Sequence, residues 1–138
     1  MSSNPRKRAG NSRTRDPNGR STAHATPALA GMIQSLNAGP ILEQQLARAF
    51  SRLGEPFDTT GVSTSWAGAE RLAERLTALG CYVEIQTHAG HCLCRILRVL
   101  KGNALAKQLA NMEAPSLPEA LAKAALLTLV EMEPPAAH

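Results

Sequence analysis

Residues 81–100, CYVEIQTHAGHCLCRILRVL, decide what kind of fold this chain makes. Two runs rich in branched apolar residues flank Ala89-Gly90, a turn pair. The pattern predicts an antiparallel hairpin with strands 81–88 and 91–100. A two-residue turn sets His88 opposite His91, Gln86 opposite Leu93, Glu84 opposite Arg95 and Tyr82 opposite Leu97. On the other face Thr87 meets Cys92, Ile85 meets Cys94 and Val83 meets Ile96. The register is physically consistent: opposite charges face each other on one side and an Ile–Cys, Val–Ile cluster forms on the other.

The hairpin tip, HAGHCLCR at residues 88–95, holds two of the four histidines and two of the three cysteines. Those are the residue types of zinc and copper sites. The register argues against a metal site. Side chains alternate along a strand, so the histidines lie on one face and the cysteines on the other. Cys92 and Cys94 then read as small buried apolar groups. His24 and His138 lie far along the chain, and no third ligand is evident. Neither a metal nor a cofactor is expected. The tip remains a candidate contact surface, formed by Gln86, His88 and His91.

Both faces of the hairpin are partly apolar. One carries Cys81, Val83, Ile85, Cys92, Cys94 and Ile96; the other carries Tyr82, Leu93 and Leu97 beside its charges. Such a sheet needs cover on both faces, from helices or from a second copy of the chain. Two strands alone are marginal, so a third short strand or pairing across a dimer is expected.

Helices are legible on either side. Residues 28–36 form a weak one, and 41–53 a firmer one, with a stripe of Ile41, Leu42, Gln45, Leu46, Ala49, Phe50 and Leu53 that ends at Gly54. The segment 65–79 is the best helix, with Trp66, Ala69, Leu72, Ala73, Leu76 and Leu79 on one face and Gly80 as its stop. After Lys101-Gly102, NALAKQLANM (103–112) reads as a short helix. Ser116 and Glu119 then make a capping box, with Pro118 in the first turn of a helix over 117–132 that is apolar nearly all round.

The remainder bounds the function class. The chain has 138 residues, 43% of them hydrophobic and only 3% aromatic, enough for one domain with a thin, alanine-rich core. The net charge of +4 hides an asymmetry. Residues 1–20 carry Arg6, Lys7, Arg8, Arg13, Arg15 and Arg20 against Asp16 alone, while the rest is nearly neutral. This tail is too poor in apolar residues to offset its ordering entropy, so disorder is expected through residue 26, as is fraying over 134–138. No run spans a bilayer, and the N-terminus lacks the apolar region of a secretory signal. Three cysteines make no disulfide framework. These points predict a cytoplasmic protein with reduced thiols and no membrane partner.

One further pattern is recognisable. STSWAGAERLAERLTALGCYVEI, the hairpin, and APSLPEALAKAALLTLVE together resemble the small phage ABA sandwich domain proteins. The matching pieces are Trp66 to Gly80, and Pro118-Glu119-Ala120 followed by Ala124-Ala125-Leu126. The resemblance spans about residues 57–132. It departs at FDTTGVSTSW, which is longer and rearranged, and in the second strand, which lacks a tryptophan. It implies a helix–sheet–helix fold, a phage or prophage origin in a host cytoplasm, and a homodimer, and it brings no catalytic residues.

The expected fold class is thus α+β: a short antiparallel sheet, 81–88 and 91–100, sandwiched between helices over 57–133, with 27–56 as a helical N-terminal extension. No enzyme motif is present. The hydroxyl-rich loop with Asp58, Thr59, Thr60 and Ser63, ahead of Trp66, reads first as capping and turn chemistry and second as an anion-binding surface. The expected function is non-enzymatic: an accessory protein that binds a host protein or a small nucleotide signal through Asp58, Thr59, Thr60, Ser63, Trp66, Gln86, His88 and His91. The alternatives are weak nucleic-acid binding through Arg6, Lys7, Arg8, Arg13, Arg15 and Arg20, whose charges would release counterions from phosphates, and a structural phage assembly component.

Overall fold

The computed structural model describes residues 27–99 and 106–132. The basic tail, the end of the second strand at residue 100 and the C-terminal 134–138 lie outside the described residues. The elements run α1 (Pro27–Gln34), α2 (Pro40–Arg52), α3 (Trp66–Ala78), β1 (Cys81–His88), β2 (His91–Val99), β3 (Ala106–Ala114) and α4 (Leu117–Glu131). The fold class is α+β, a three-stranded antiparallel sheet of order β1-β2-β3 packed against helices.

The hairpin has the register that alternation requires: His88 pairs with His91, Glu84 with Arg95 and Ile85 with Cys94. The third strand is present, but it comes from the segment that sequence reads as a helix. Lys107, Gln108, Leu109 and Ala110 favour helices, yet beyond a bulge the stretch alternates, with Ala110, Met112 and Ala114 buried and Asn111 and Glu113 exposed. Pairing with β2 outweighs local propensity here, because strand preference is mostly a matter of fit to a half-buried surface.

α4 is the centre of the core. It is buried from Ala120 through Leu129 and packs against β2, β3, α2 and α3. Its small residues let neighbours approach closely. Residues 27–56 belong to the same core: Ile33, Leu42, Leu46, Ala49 and Phe50 cluster with α4 and with Leu72, Leu76 and Ile96. Three members of the expected stripes point outward instead, Ile41 and Gln45 on α2 and Trp66 on α3. Ser65 caps α3, its Oγ accepting the Gly68 N–H at 3.0 Å. Only half of the capping box forms on α4. Ser116 Oγ accepts the Glu119 N–H at 3.4 Å, but the Glu119 carboxylate turns to Lys123, 2.9 Å away.

The cover is one-sided. Cys81, Cys94, Ile96, Ala110, Met112 and Ala114 lie buried beneath the helices. On the second face Tyr82, Gln86, His88, Gln108, Asn111 and Glu113 are exposed, and no helix among the described residues covers it. The cover on both faces that the two-sided apolar pattern calls for is therefore half supplied.

Candidate functional site

The uncovered sheet face is built by alternation alone. β1 contributes Tyr82, Glu84, Gln86 and His88; β2 contributes His91, Leu93, Arg95 and Leu97; β3 contributes Gln108, Asn111 and Glu113. At its centre Arg95 binds Glu84 through both Nε, at 3.0 Å, and Nη2. Its Nη1 reaches Gln108 Oε1 at 3.4 Å. This pair fixes a cross-strand polar seam between the apolar surfaces of Tyr82, Leu93 and Leu97. Tyr82 is 58% exposed.

At the tip the rings of His88 and His91 stack with centroids 5.2 Å apart. Gln86 stands beside them on the same face, so the three predicted tip residues do converge. Among the described residues no group of three His, Cys, Asp or Glu side chains is placed to hold a metal ion. The cysteines point the other way, as the register requires. Burial pushes the Cys94 thiol up to about 12 and raises Cys81 as well, so neither is a thiolate near neutrality. At the β3 end of the face His91, Leu93, Asn111 and Glu113, with Gln34 and Pro115, line a shallow concavity of about 520 Å³.

The second candidate region, the 58–66 loop, divides in two. Thr59 and Ser63 are buried and engaged internally by Glu43 of α2, a residue that sequence reasoning missed. Glu43 accepts the N–H groups of Gly61 (3.0 Å) and Ser63 (3.1 Å) and the Ser63 hydroxyl (2.7 Å). Thr59 Oγ1 donates to the Glu43 carbonyl at 2.7 Å, and Ser63 Oγ accepts the Gly39 N–H at 2.8 Å. Burial by itself would raise the Glu43 carboxyl. The Ser63 hydroxyl and the two amides outweigh it and hold the group below its ordinary value. Asp58 and Thr60 stay exposed. The Thr60 N–H bonds Asp58 Oδ1 at 3.1 Å and lowers that carboxyl, an Asx turn. Arg71 clamps the Asp58 and Thr60 carbonyls at 2.9 Å each and lies over the Phe57 ring. The loop is thus a fixed part of the scaffold rather than an open anion cradle.

Trp66 faces away from the tip residues' side of the sheet, on the helix side. It is 70% exposed and lines a groove of about 410 Å³ with Ala69, Ala73, Ile85, Leu117 and Leu121. The eight predicted contact residues therefore do not form one patch. Gln86, His88 and His91 share the open face, Asp58 and Thr60 sit on the loop, Trp66 borders a groove, and Thr59 and Ser63 are buried. The six basic tail residues lie outside the described residues. No helix among the described residues is long and apolar enough to cross a membrane. No family model matches this chain, and no match is found among curated proteins or solved structures.

Proposed function

We propose that this chain is a non-enzymatic binding protein, an accessory protein of the phage or prophage type, that docks a protein partner on the uncovered face of its sheet. The observation that carries the reading is that face itself: an ordered three-stranded surface with Tyr82, Leu93 and Leu97 around the Glu84–Arg95 pair and no helix over it among the described residues. Mixed apolar and polar surface with an exposed aromatic is what protein interfaces use. A nucleotide signal fits less well. Among the described residues the concavity beside the face is lined by Glu113 and by no lysine or arginine, so a phosphate there would meet a carboxylate.

Affinity capture from a bacterial host extract tests the reading, with wild-type protein beside Tyr82→Lys and Leu93→Glu. A partner retained by the wild type and lost by both variants supports it. Capture that ignores both substitutions, or turnover of a peptide or nucleotide by the purified chain, sinks it. The basic tail favours a second reading, weak nucleic-acid binding. It requires affinity that falls steeply with salt and disappears when residues 1–20 are deleted.

A further inference from the structure

The two outer strands of the sheet end differently. On β3, Gln34 of α1 occupies the edge at Glu113. Its Oε1 accepts the Glu113 N–H at 3.3 Å and its Nε2 donates to the Glu113 carbonyl at 2.5 Å. These are the two bonds a neighbouring strand would make. β1 carries no such plug: among the described residues no side chain bonds its outward backbone groups.

The register says which groups those are. His88 and His91 flank the two-residue turn, so they exchange ladder bonds, and Gln86, Glu84 and Tyr82 bond inward by alternation. Val83, Ile85 and Thr87 therefore turn their N–H and C=O groups away from the sheet. The same alternation turns Glu113 outward on β3, where Gln34 meets it.

Exposed apolar side chains collect along this open edge. Ile85 is 39% exposed on the helix side and shares the groove with Trp66; Tyr82 stands on the opposite face. A long unprotected edge with apolar flanks is a template for another strand.

We propose that β1 pairs antiparallel with β1 of a second copy about a two-fold axis at Ile85, joining two sheets into one of six strands. In this register Ile85 meets its own counterpart, Val83 meets Thr87, Tyr82 meets His88, and Glu84 meets Gln86. Each face matches itself, as an isologous contact must. A centre at Glu84 would set two like carboxylates directly opposite, which is unfavourable. A centre at Val83 ends at Cys81, where the chain leaves the sheet, and pairs fewer residues. The pairing brings Ile85 of the second copy beside the groove that Ile85 and Trp66 line. It stands independently of the partner-binding reading, and it would make the two open faces continuous.

The test is light scattering of the full chain across a wide range of concentrations, for wild type, Ile85→Lys and Ile85→Pro. Proline at this position removes only an outward N–H, so the monomer keeps its ladder; circular dichroism checks the fold of each variant. The expected result is a dimer mass for the wild type and a monomer mass for both folded variants. In a parallel arm, mild oxidation of Ile85→Cys gives a covalent dimer on a non-reducing gel, and Thr77→Cys, exposed on α3, does not. A wild-type monomer at every concentration overturns the proposal. So does a dimer that survives Ile85→Lys, since the interface then lies elsewhere. A monomer that binds an extended peptide along β1 overturns it too and makes the edge a site for a foreign strand.

Discussion

Glu43 holds the 59–63 loop to α2 with one carboxylate and three donors. Hydrogen bonds to a charged acceptor are among the stronger ones, and a buried donor left unpaired is costly. Glu43→Gln should lower unfolding stability by about 2 kcal/mol in urea titration. The substitution should also change the pH dependence. The folded carboxyl titrates below the unfolded one, whose ordinary value is 4.5, so between the two values the unfolded state holds more protons. This share of stability is complete above 4.5 and is lost as the pH falls through the lowered folded value. The slope of stability against pH in that acid window should be shallower in Glu43→Gln than in wild type. A second residue-scale prediction concerns Gly68. A Cβ there would lie 2.7 Å from Val62 Cα and closer still to the Gly61 carbonyl. The neighbours are backbone, so they cannot step aside. Gly68→Ala should cost on the order of 3 kcal/mol through overpacking, read as a lower urea midpoint, although alanine is the better helix former.

At the scale of elements, α4 shows why a helix can be apolar all round and still keep a lysine. Lys123 has a side chain only 4% exposed, and its Nζ bonds Glu119 at 2.9 Å and the Gln34 carbonyl at 2.8 Å. It thereby caps the C-terminal end of α1 and ties that helix to the core. At the far end of α4, Arg52 of α2 donates to the Leu129 carbonyl at 2.6 Å, satisfying a group the helix leaves open. Lys123→Ala breaks a buried pair and strands both partners. It should destabilise the fold by roughly 3 kcal/mol, with amide exchange in α1 accelerating more than in β2. The helices and the hairpin register were legible from apolar period, caps and turn. β3 was not, because its residues individually prefer helix and its two-residue alternation spans only Ala110 to Ala114 beyond the bulge. Glu43 and Lys123 were equally hidden: a charged side chain on a helix reads as solvent-facing until the neighbouring element is in place.

For the whole molecule the one-sided layering matters most. The core is complete without the second face of the sheet, so substitutions there should separate binding from folding. Tyr82→Lys should leave stability within about 0.5 kcal/mol of wild type, as exposed positions generally do, while partner capture is lost. A thermal melt beside the capture experiment checks both halves. Part of the geometry of the candidate surface is legible in the sequence. Gln86, His88 and His91 converge because a two-residue turn obliges them to. Thr59, Ser63 and Trp66 do not join them, because the loop folds onto Glu43 and the first turn of α3 carries Trp66 to the other side.

Whatever depends on near neighbours can be read from the order of residues. The turn at Ala89-Gly90 fixed the strand pairing, the alternation fixed which side chains share a face, and Ser65, Gly80 and Ser116 bounded two helices. Those are local constraints, set by backbone geometry and hydrogen bonds a few residues apart. Long-range contacts set the rest: 106–114 is a strand, 27–56 join the common core, Gln34 takes up the outward backbone groups of Glu113 on β3, and all the described helices gather on one face. Each of these depends on contacts between segments far apart in the chain, where burial and the partner's shape outweigh what any short stretch prefers alone.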